Sequence, residues 1–215
     1  MRVFNQLHLL GTSHIAKQSV EEITEAFARL NPDILAIELD KSRLQALLSG
    51  ESKVSLKHLP AVGIQGWLFA KLGGWASKKL GKMVGVDPGT EMKTAIELGK
   101  EHKKRIALID QPIEITLKRF SKALTWKEKG HLIADLFSKR KETIDLSKVP
   151  EEELIAKLIG ELKIRYPSIY TVLIEERNAY MVDKLKKLGE LYPESIILAI
   201  VGAGHVEGMA QLLSK

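Results

Sequence analysis

The last apolar run of the chain leads into a turn and a histidine, Ala199-Ile200-Val201-Gly202-Ala203-Gly204-His205. The same order of an apolar strand, Gly-x-x-His and a helix occurs near the start, in Leu9-Leu10-Gly11-Thr12-Ser13-His14. Residues just past the carboxyl ends of parallel strands face the crevice in which α/β folds bind ligands, and glycine permits the sharp turn there. The pattern therefore predicts that His14 and His205 converge at one crevice, as metal ligands or general bases. The alternative is that each histidine only caps or supports its turn.

Four short apolar runs predict the strands of a parallel sheet that is covered on both faces, because they are continuous rather than alternating. They are Leu7–Leu10, Ile34–Leu39, Ile106–Ile109 and Ile196–Val201. Strands and helices alternate early, whereas helical signals dominate from about 111 to 189. The sequence thus predicts one α/β domain over residues 1–215, with a mainly parallel sheet and a large helical insertion.

Three local signals predict where helices begin. Asp87-Pro88 predicts an N-cap and a first-turn proline before a helix over Glu91–Lys103. Thr125 and Glu128 have the spacing of a capping box. Pro150 is followed by three acids, as in the first turn of a helix.

Composition sets bounds on the chemistry. The 215 residues include 33 Lys plus Arg against 27 Asp plus Glu, a formal net charge of +6, and no cysteine. The absence of cysteine excludes a thiolate nucleophile and a thiolate metal site, so any metal must be held by His, Asp or Glu. The first residues lack a secretory signal, and every apolar run is too short to span a membrane, which predicts a cytoplasmic chain. Phosphate-binding, dinucleotide-binding and nucleic-acid-binding motifs are lacking.

Most of the positive charge lies in residues 51–86, here called the basic segment, which has six lysines and one acid. It is also rich in glycine and tryptophan, and it predicts a helical lid or docking segment. Its candidate residues for facing a substrate or a membrane are Trp67, Lys71, Trp75, Lys78 and Lys79. The alternative is a pair of short helices that pack through glycine, with lysines that extend to water.

Three acids are candidates for the crevice. Glu38 lies inside an apolar run, so its carboxylate needs a cation, a metal or several donors, and Arg43 one turn later is a candidate partner. Asp110 ends the third strand in the same way, and Glu91 lies in the first turn of a predicted helix. Taken singly, each acid is equally consistent with a solvated end or a partner of the helix dipole.

A predicted helix from about Ser168 contains Glu176, Arg177 and Asn178. Its apolar stripe is formed by Tyr170, Leu173, Ile174, Met181 and Leu188. Arg177 falls on that stripe, and an arginine that faces the core needs a carboxylate or an anionic ligand. Glu176 and Asn178 flank it and are candidates for the same crevice. The alternative is a structural ion pair between Arg177 and Glu38.

Together these residues resemble the TraB family, also called TraB/PrgY or pheromone-shutdown proteins, in its archaeal form. The resemblance covers nearly the whole chain and rests on the number, order and spacing of its motifs. The motifs are Gly-Thr-Ser-His-Ile-Ala (11–16), Asn-Pro-Asp-Ile-Leu-Ala-Ile-Glu-Leu with Arg43 (31–43), Pro-Gly-Thr-Glu-Met-Lys-Thr-Ala-Ile-Glu (88–97), Leu-Ile-Asp (108–110), Thr-Leu-Lys-Arg-Phe (116–120), Glu-Arg-Asn-x-Tyr-Met (176–181) and Val-Gly-Ala-Gly-His-Val-x-Gly (201–208).

The resemblance implies an α/β fold with paired Gly-x-x-His motifs, shared with Tiki-type metalloproteases, erythromycin-esterase-like enzymes and the haem-binding ChaN proteins. It implies a metal-dependent, peptidase-like hydrolase in which Zn, Mn, Co and Fe are equally acceptable ions. His14 and His205 would be metal ligands, and Glu38 a ligand or general base. The residues that would complete the site are Arg43, Glu91, Asp110, Glu176, Arg177 and Asn178.

Two positions depart from the family pattern. Asp40 stands where the family often has cysteine, and Gln111-Pro112 follows Asp110 where Arg-Asp is common, which predicts one positive charge fewer near the crevice. The resemblance also leaves a second function open: a membrane-associated regulator that binds a peptide or an anionic ligand without cleaving it. Family members commonly continue into a membrane region, so tethering to the cytoplasmic membrane and homodimer formation are further expectations.

Overall fold

The computed structural model of the chain describes residues 1–12, 17–49, 89–137 and 151–215. The strands are β1 (Arg2–Phe4), β2 (Leu7–Thr12), β3 (Ile34–Ile37), β4 (Arg105–Leu108) and β5 (Ile197–Gly202). The helices are α1 (Lys17–Leu30), α2 (Lys41–Ser49), α3 (Thr90–Glu101), α4 (Ile113–Ala123), α5 (Trp126–Phe137), α6 (Glu151–Arg165), α7 (Pro167–Tyr170), α8 (Glu176–Leu191) and α9 (Ala203–Leu213). A π-helical turn, Thr171–Glu175, joins α7 to α8.

The described strands form one sheet in the order β1-β2-β5-β3-β4. The pairs β2–β5, β5–β3 and β3–β4 are parallel, as the continuous apolar runs predict, and all six residues of β5 are buried at the centre. The mainly parallel α/β fold is therefore confirmed. The sequence did not reveal β1, an antiparallel edge strand of three residues, because so short a segment has no periodicity to detect.

The sheet has a hydrophobic core on each face. On one face, α1 and α3 pack against every second side chain of the central strands, among them Leu35, Ile37, Leu198 and Ile200. On the opposite face α8 and α9 cover Ala36, Ala199 and Val201. Two covered faces explain why these strands are apolar throughout rather than alternating.

Gly11 in β2 leaves room for α9, the helix that follows β5, to pack closely against β2. A Cβ atom at this position would lie 2.5 Å from Cγ2 of Val206 and 3.3 Å from the Cα of Ala203, both in α9. The glycine of the first Gly-x-x-His motif is thus needed for close packing of α9 on β2. That packing sets the first turn of α9 beside the carboxyl end of the sheet.

The helix-start predictions have different outcomes. The capping box at Thr125 and Glu128 is confirmed, with the Glu128 carboxylate accepting from the Thr125 N–H at 2.9 Å. The helix predicted over Glu91–Lys103 is α3, which begins at Thr90 after Gly89 in a left-handed conformation and ends at Glu101, because Lys103 has a φ of 53°. Asp87-Pro88, Pro150 and the basic segment lie outside the described residues.

The π-helical turn changes which side chains of the long C-terminal helix face the core. Such a turn inserts one extra residue into the helix. An apolar stripe that is predicted with a constant helical period after the turn is therefore out of register with the buried residues before it. Ile169 and Val172 are buried there, whereas the predicted Tyr170 and Leu173 are only half-buried. After the turn, Met181 is buried as predicted.

Helices also fill most of the described part of residues 111–189, in agreement with the predicted insertion. Phe120 of α4 packs there with Ile169 and Val172 in a small separate core. In the described ranges, no helix combines the length and the apolar character needed to span a membrane.

Candidate functional site

A cluster of charged and polar side chains lies at the carboxyl ends of β3, β4 and β5, where parallel α/β sheets bind ligands. We call it the crevice cluster. It consists of Glu38, Asp40, Arg43, Asp110, Arg177, Asn178 and His205. All of these except the two arginines are buried, and even the Arg177 side chain is only 12% exposed.

The backbone of two adjacent strands fixes the carboxylates. Glu38 lies just past β3, and its N–H donates to the carbonyl oxygen of Ile200 at 3.1 Å, so the β3–β5 pairing continues to it. Asp110 follows β4 and its N–H donates to the carbonyl oxygen of Leu39 at 3.3 Å. Both side chains therefore emerge at the same edge of the sheet.

Arg177 is the centre of the cluster. Its Nε donates to Oδ1 of Asp110 at 3.0 Å and its Nη2 to Oδ2 at 2.6 Å, a bidentate arginine–carboxylate pair. Nη2 also donates to Oε1 of Glu38, and Nη1 donates to the carbonyl oxygen of Leu173 at 3.1 Å. That carbonyl belongs to the π-helical turn, so the irregular helix helps to hold the guanidinium.

Glu38 has a donor on each carboxylate oxygen. Oε1 accepts from Arg177 and lies 3.4 Å from Nε2 of His205, while Oε2 accepts from the backbone N–H of Gly202 at 2.6 Å. The glycine of the second Gly-x-x-His motif thus supplies a backbone donor to the acid of a neighbouring strand. The two motif regions that the sequence singles out, 34–39 and 199–205, are joined by this bond.

Asp40 and Arg43 close the cluster on the side of α2. Oδ1 of Asp40 accepts from the N–H groups of Ser42 and Arg43 at 2.7 and 3.1 Å, which makes Asp40 the N-cap of α2. Nε of Arg43 donates to Oδ2 of Asp40 at 2.7 Å, and its Nη2 pairs with Asp110. Arg43 therefore pairs with these two acids, and the cation in contact with Glu38 is Arg177.

His205 is held in one orientation by Asn178. Nδ1 of the imidazole lies 2.6 Å from Oδ1 of Asn178, which can only accept, so Nδ1 carries the proton. Nε2 lies 3.0 Å from Nη1 of Arg177, which can only donate, so Nε2 presents its lone pair. Both contacts fit the neutral imidazole with its proton on Nδ1.

The charges of the cluster nearly balance. Three carboxylates (Glu38, Asp40 and Asp110) against two guanidiniums leave one negative charge when His205 is neutral. Burial lowers the pKa of Arg43, and the nearby guanidinium of Arg177 lowers it further, while the hydrogen bond from Arg43 to Asp40 opposes both effects. Two guanidiniums so close together require the acids that surround them.

The structure brings together six of the predicted site residues: Glu38, Arg43, Asp110, Arg177, Asn178 and His205. Glu176 points elsewhere, to the exposed Arg119 of α4, whose Nε lies 3.1 and 3.2 Å from its two carboxylate oxygens. Glu91 is buried in the first turn of α3, a helix that packs on the α1 face of the sheet. The remaining predicted site residues, His14, Trp67, Lys71, Trp75, Lys78 and Lys79, lie outside the described residues.

The sequence interpretation missed two contributors. Asp40 was noted only as a departure from the family, yet Asp-Lys-Ser-Arg before an apolar helix is the pattern of an N-cap. Gly208 also supports the site, because a Cβ atom there would lie 2.3 Å from Nδ2 of Asn178. Its spacing of three residues after His205 in α9 is the signal that could have identified it.

The described residues do not fit the bound divalent metal that the resemblance implies. The single lone pair on Nε2 of His205 accepts from Arg177, and the same guanidinium contacts Glu38 and Asp110, so a divalent ion at this position would meet a like charge. Within ranges 1–12, 17–49, 89–137 and 151–215, no three His, Cys, Asp or Glu side chains are grouped to hold an ion. His14, the other expected ligand, lies outside these ranges.

Comparison with known proteins agrees with the resemblance. A model of the TraB/PrgY/gumN family matches residues 4–215. An uncharacterised protein of Methanocaldococcus jannaschii is 35% identical over 229 residues, which cover 100% of this chain and 56% of that protein. TraB domain-containing proteins of Homo sapiens and Mus musculus are each 24% identical over 236 residues, which cover 95% of this chain and 62% of theirs. The chain thus spans between 56% and 62% of the length of these curated relatives.

Proposed function

Since the chain belongs to the TraB/PrgY/gumN family, we propose that it is a peptidase-like hydrolase that cleaves an amide or ester bond in the crevice. One observation carries the proposal: Nε2 of the buried His205 lies between a carboxylate and a guanidinium, in contacts that fit the neutral imidazole. This combination of a base, an acid and a fixed cation is typical of acyl-transfer sites.

His205 would act as the general base. A water molecule that replaces Arg177 at Nε2 would give up its proton there as its oxygen adds to the substrate carbonyl carbon. The imidazolium that forms would be stabilised by Oε1 of Glu38, 3.4 Å away, and by Oδ1 of Asn178. The same proton then passes to the leaving amine or alcohol, so the products are a carboxylic acid and that leaving group.

Arg177 would stabilise the negative oxygen of the tetrahedral intermediate. After the water has replaced Nη1 at Nε2, Nη1 is still the donor nearest to the reacting position, because the Nε and Nη2 bonds to Asp110 hold the guanidinium in place. A donor held close to the developing charge stabilises the transition state. Arg43, whose side chain is 31% exposed, is the cation positioned for a carboxylate or another anionic group of the substrate.

The resemblance also implies a metal, which when bound would acidify the attacking water. No step above depends on it, because the described residues do not fit one. The expectation of a divalent ion stays a prediction that concerns His14 as much as His205.

Hydrolysis of a set of fluorogenic peptides and nitrophenyl esters by the purified chain tests the proposal. We expect His205→Gln to lower kcat by ~10²–10⁴-fold, since a general base contributes about that much. The control is His102→Gln, which changes an exposed histidine at the end of α3. Because the resemblance pairs His205 with His14, the His14→Ala/His205→Ala variant is measured beside it. Full turnover in both His205 variants would disprove the role of the crevice.

A second function is favoured by the closed state of the cluster. Glu38, Asp110 and His205 are all bonded to protein donors, as in a preformed site that binds rather than reacts. We propose as the alternative a regulator that binds a peptide or an anionic ligand in the same crevice without cleaving it. Ligand-induced stabilisation that survives His205→Gln, with no turnover of any substrate, would favour this alternative.

Membrane association and homodimer formation belong to that alternative as proposals. The basic segment, with its lysines and tryptophans, would bind an anionic membrane surface, in addition to any tether in a longer protein. Sedimentation with anionic and neutral vesicles tests the first proposal, and light scattering tests the second. Vesicle binding that persists after the lysines of the basic segment are changed to glutamine would argue against that segment.

A further inference from the structure

The partners of Arg177 are of the types that ligate a divalent metal. Its guanidinium contacts two carboxylates, Glu38 and Asp110, and the imidazole of His205. Imidazole and carboxylate are the ligands that zinc, manganese, cobalt and iron take in cysteine-free sites. In this crevice they surround a protein cation instead.

The orientation of His205 is also the one that a metal site requires. In metal sites the second ring nitrogen of a histidine ligand donates to an oxygen, which fixes the tautomer and leaves the other nitrogen for the ion. Asn178 does this here, since its Oδ1 lies 2.6 Å from Nδ1 of His205. The lone pair on Nε2 is nevertheless directed at Nη1 of Arg177, 3.0 Å away.

The oxygens of the two carboxylates also accept hydrogen bonds from protein donors. Oε2 of Glu38 accepts from the Gly202 N–H at 2.6 Å, and its Oε1 accepts from Arg177. Oδ1 of Asp110 accepts from the Gln111 N–H at 2.7 Å and from Nε of Arg177 at 3.0 Å. Its Oδ2 is shared by Arg177 and Arg43. A divalent ion would have to displace Arg177 from all three partners and would find it still beside them as a like charge.

We infer that Arg177 is the resident cation of the crevice and occupies the position that a divalent metal would otherwise take. The chain therefore binds zinc or manganese only weakly at this site. Among the described residues, Glu38, Asp110 and His205 are not grouped to hold an ion while Arg177 lies between them. Removal of the guanidinium is expected to let these three side chains close on a divalent ion. This inference goes beyond the proposed hydrolysis, because it concerns what the crevice binds and not whether it turns over a substrate.

Titration of the full chain with Zn²⁺ by calorimetry, in chelator-free buffer, tests the inference. The wild-type chain is expected to show no stoichiometric site in the micromolar range and to contain far less than one equivalent of metal by elemental analysis after purification. The Arg177→Met variant keeps an unbranched apolar stem and removes the charged guanidinium. It is expected to bind one equivalent of zinc at least about a hundred-fold more tightly than the wild-type chain.

Three further variants control for the origin of the new site. Arg177→Lys keeps a cation among the same acids and should gain no site. Arg177→Met/His205→Gln should lose the site that Arg177→Met gains. Arg119→Met removes the exposed partner of Glu176 and should leave zinc binding at the wild-type level. Circular dichroism establishes that each variant is folded.

Either of two results overturns the inference. One is a stoichiometric, micromolar zinc or manganese site in the wild-type chain that is lost in His205→Gln. The other is a folded Arg177→Met variant without any gain in affinity. If Arg177→Met does not fold, the wild-type titration and its His205→Gln control decide alone. Failure of the hydrolase proposal is separate, because it would appear as missing turnover while every metal measurement stays as expected.

Discussion

Two buried carboxylates in this chain are stabilised in different ways. Glu38 in the crevice is 7% exposed and is surrounded by Arg177, the N–H of Gly202 and His205. Glu128 in α5 is 3% exposed and accepts instead from Thr125 N–H and Oγ1, at 2.9 and 2.7 Å, and from Ser168 N–H at 2.8 Å. We call the second arrangement, Thr125 with Glu128 and Ser168, the junction, because it joins the start of α5 to the start of α7.

The difference is the one expected between a structural carboxylate and a carboxylate with the role that we propose for Glu38. At the junction, N–H groups at two helix N-termini and one hydroxyl bind the carboxylate, and the hydroxyl accepts in turn from the Glu128 N–H. In the crevice the chain gathers three carboxylates and two guanidiniums at the carboxyl end of the sheet, where ligands bind. Buried charges of this kind cost stability and are concentrated at functional sites.

The largest expected effect comes from removing the central cation of the crevice. Arg177→Met removes the guanidinium that pairs with Glu38 and leaves Asp110 with Arg43 as its remaining cation. Because a buried charge is then left unpaired, we expect the free energy of unfolding to fall by ~3–5 kcal/mol. Urea denaturation measures it. Arg177→Met/Glu38→Gln should recover part of the loss, because the unpaired buried charge is then gone. Equal stability of the two variants would mean that the guanidinium contributes packing and not charge compensation.

Arg119→Met is the matched control for that result. Arg119 forms a bidentate ion pair with Glu176, one residue before Arg177, but this pair is exposed on the surface. Exposed ion pairs contribute little to stability, so no resolvable change in the urea midpoint is expected. A loss of stability as large as that of Arg177→Met would contradict the expectation that the buried ion pairs contribute far more than this exposed pair.

The junction gives the next effect in size. Glu128→Ala removes an acceptor of three hydrogen bonds and leaves the N–H groups of Thr125 and Ser168 without it. We expect a loss of ~2 kcal/mol in the free energy of unfolding, since hydrogen bonds to a charged group contribute roughly this amount. Hydrolytic and ligand-binding assays should be unaffected once the variant is folded. A change in kcat larger than the change in folded fraction would show that the junction is coupled to the crevice.

The sequence predicted the sheet well because buried parallel strands are uniformly apolar. It also indicated that Arg177 faces the interior, since a charged residue on an apolar stripe is conspicuous. It misplaced the stripe before Glu176, because the π-helical turn changes the period and no residue type marks such a turn. It also failed to place Glu176, whose exposed partner Arg119 lies 57 residues away in the chain.

The pairing inside the crevice was the least predictable part. Sequence spacing offered Arg43 as the partner of Glu38, one turn apart, but Arg43 pairs with Asp40 and Asp110. The cation that reaches Glu38 is Arg177 of α8, 139 residues further on, and this is the ion pair that the sequence analysis gave as its alternative. Local spacing could not decide between the two arginines, because the choice depends on strand order and on the packing of α8 and α9.

Gly208→Ala tests the contact of His205 with Asn178 and should have a smaller effect than Arg177→Met or Glu128→Ala. The new Cβ atom would lie 2.3 Å from Nδ2 of Asn178, so the amide must move away from Nδ1 of His205. We expect a loss of ~1–2 kcal/mol from overpacking. Gly189→Ala in α8 is the control, because nothing lies within 4 Å of its added Cβ and alanine favours helix. ¹⁵N chemical shifts of the imidazole would report whether His205 keeps its proton on Nδ1.

The smallest effect is the pH dependence of stability at the junction, which follows from the direction of the pKa shift of Glu128. Burial alone raises the pKa of Glu128, but the hydrogen bonds from Thr125 and Ser168 outweigh it and lower that pKa below its ordinary value of 4.5. A carboxyl group with a lowered pKa in the folded chain stabilises it above the ordinary value, and that contribution disappears as the pH falls through the folded value. The stability difference between wild type and Glu128→Gln, measured by urea denaturation from about pH 7 to about pH 3, should therefore be constant above about pH 5 and shrink below it. A difference that grows towards acid would mean that the junction binds the protonated carboxyl group, and it would contradict the lowered pKa.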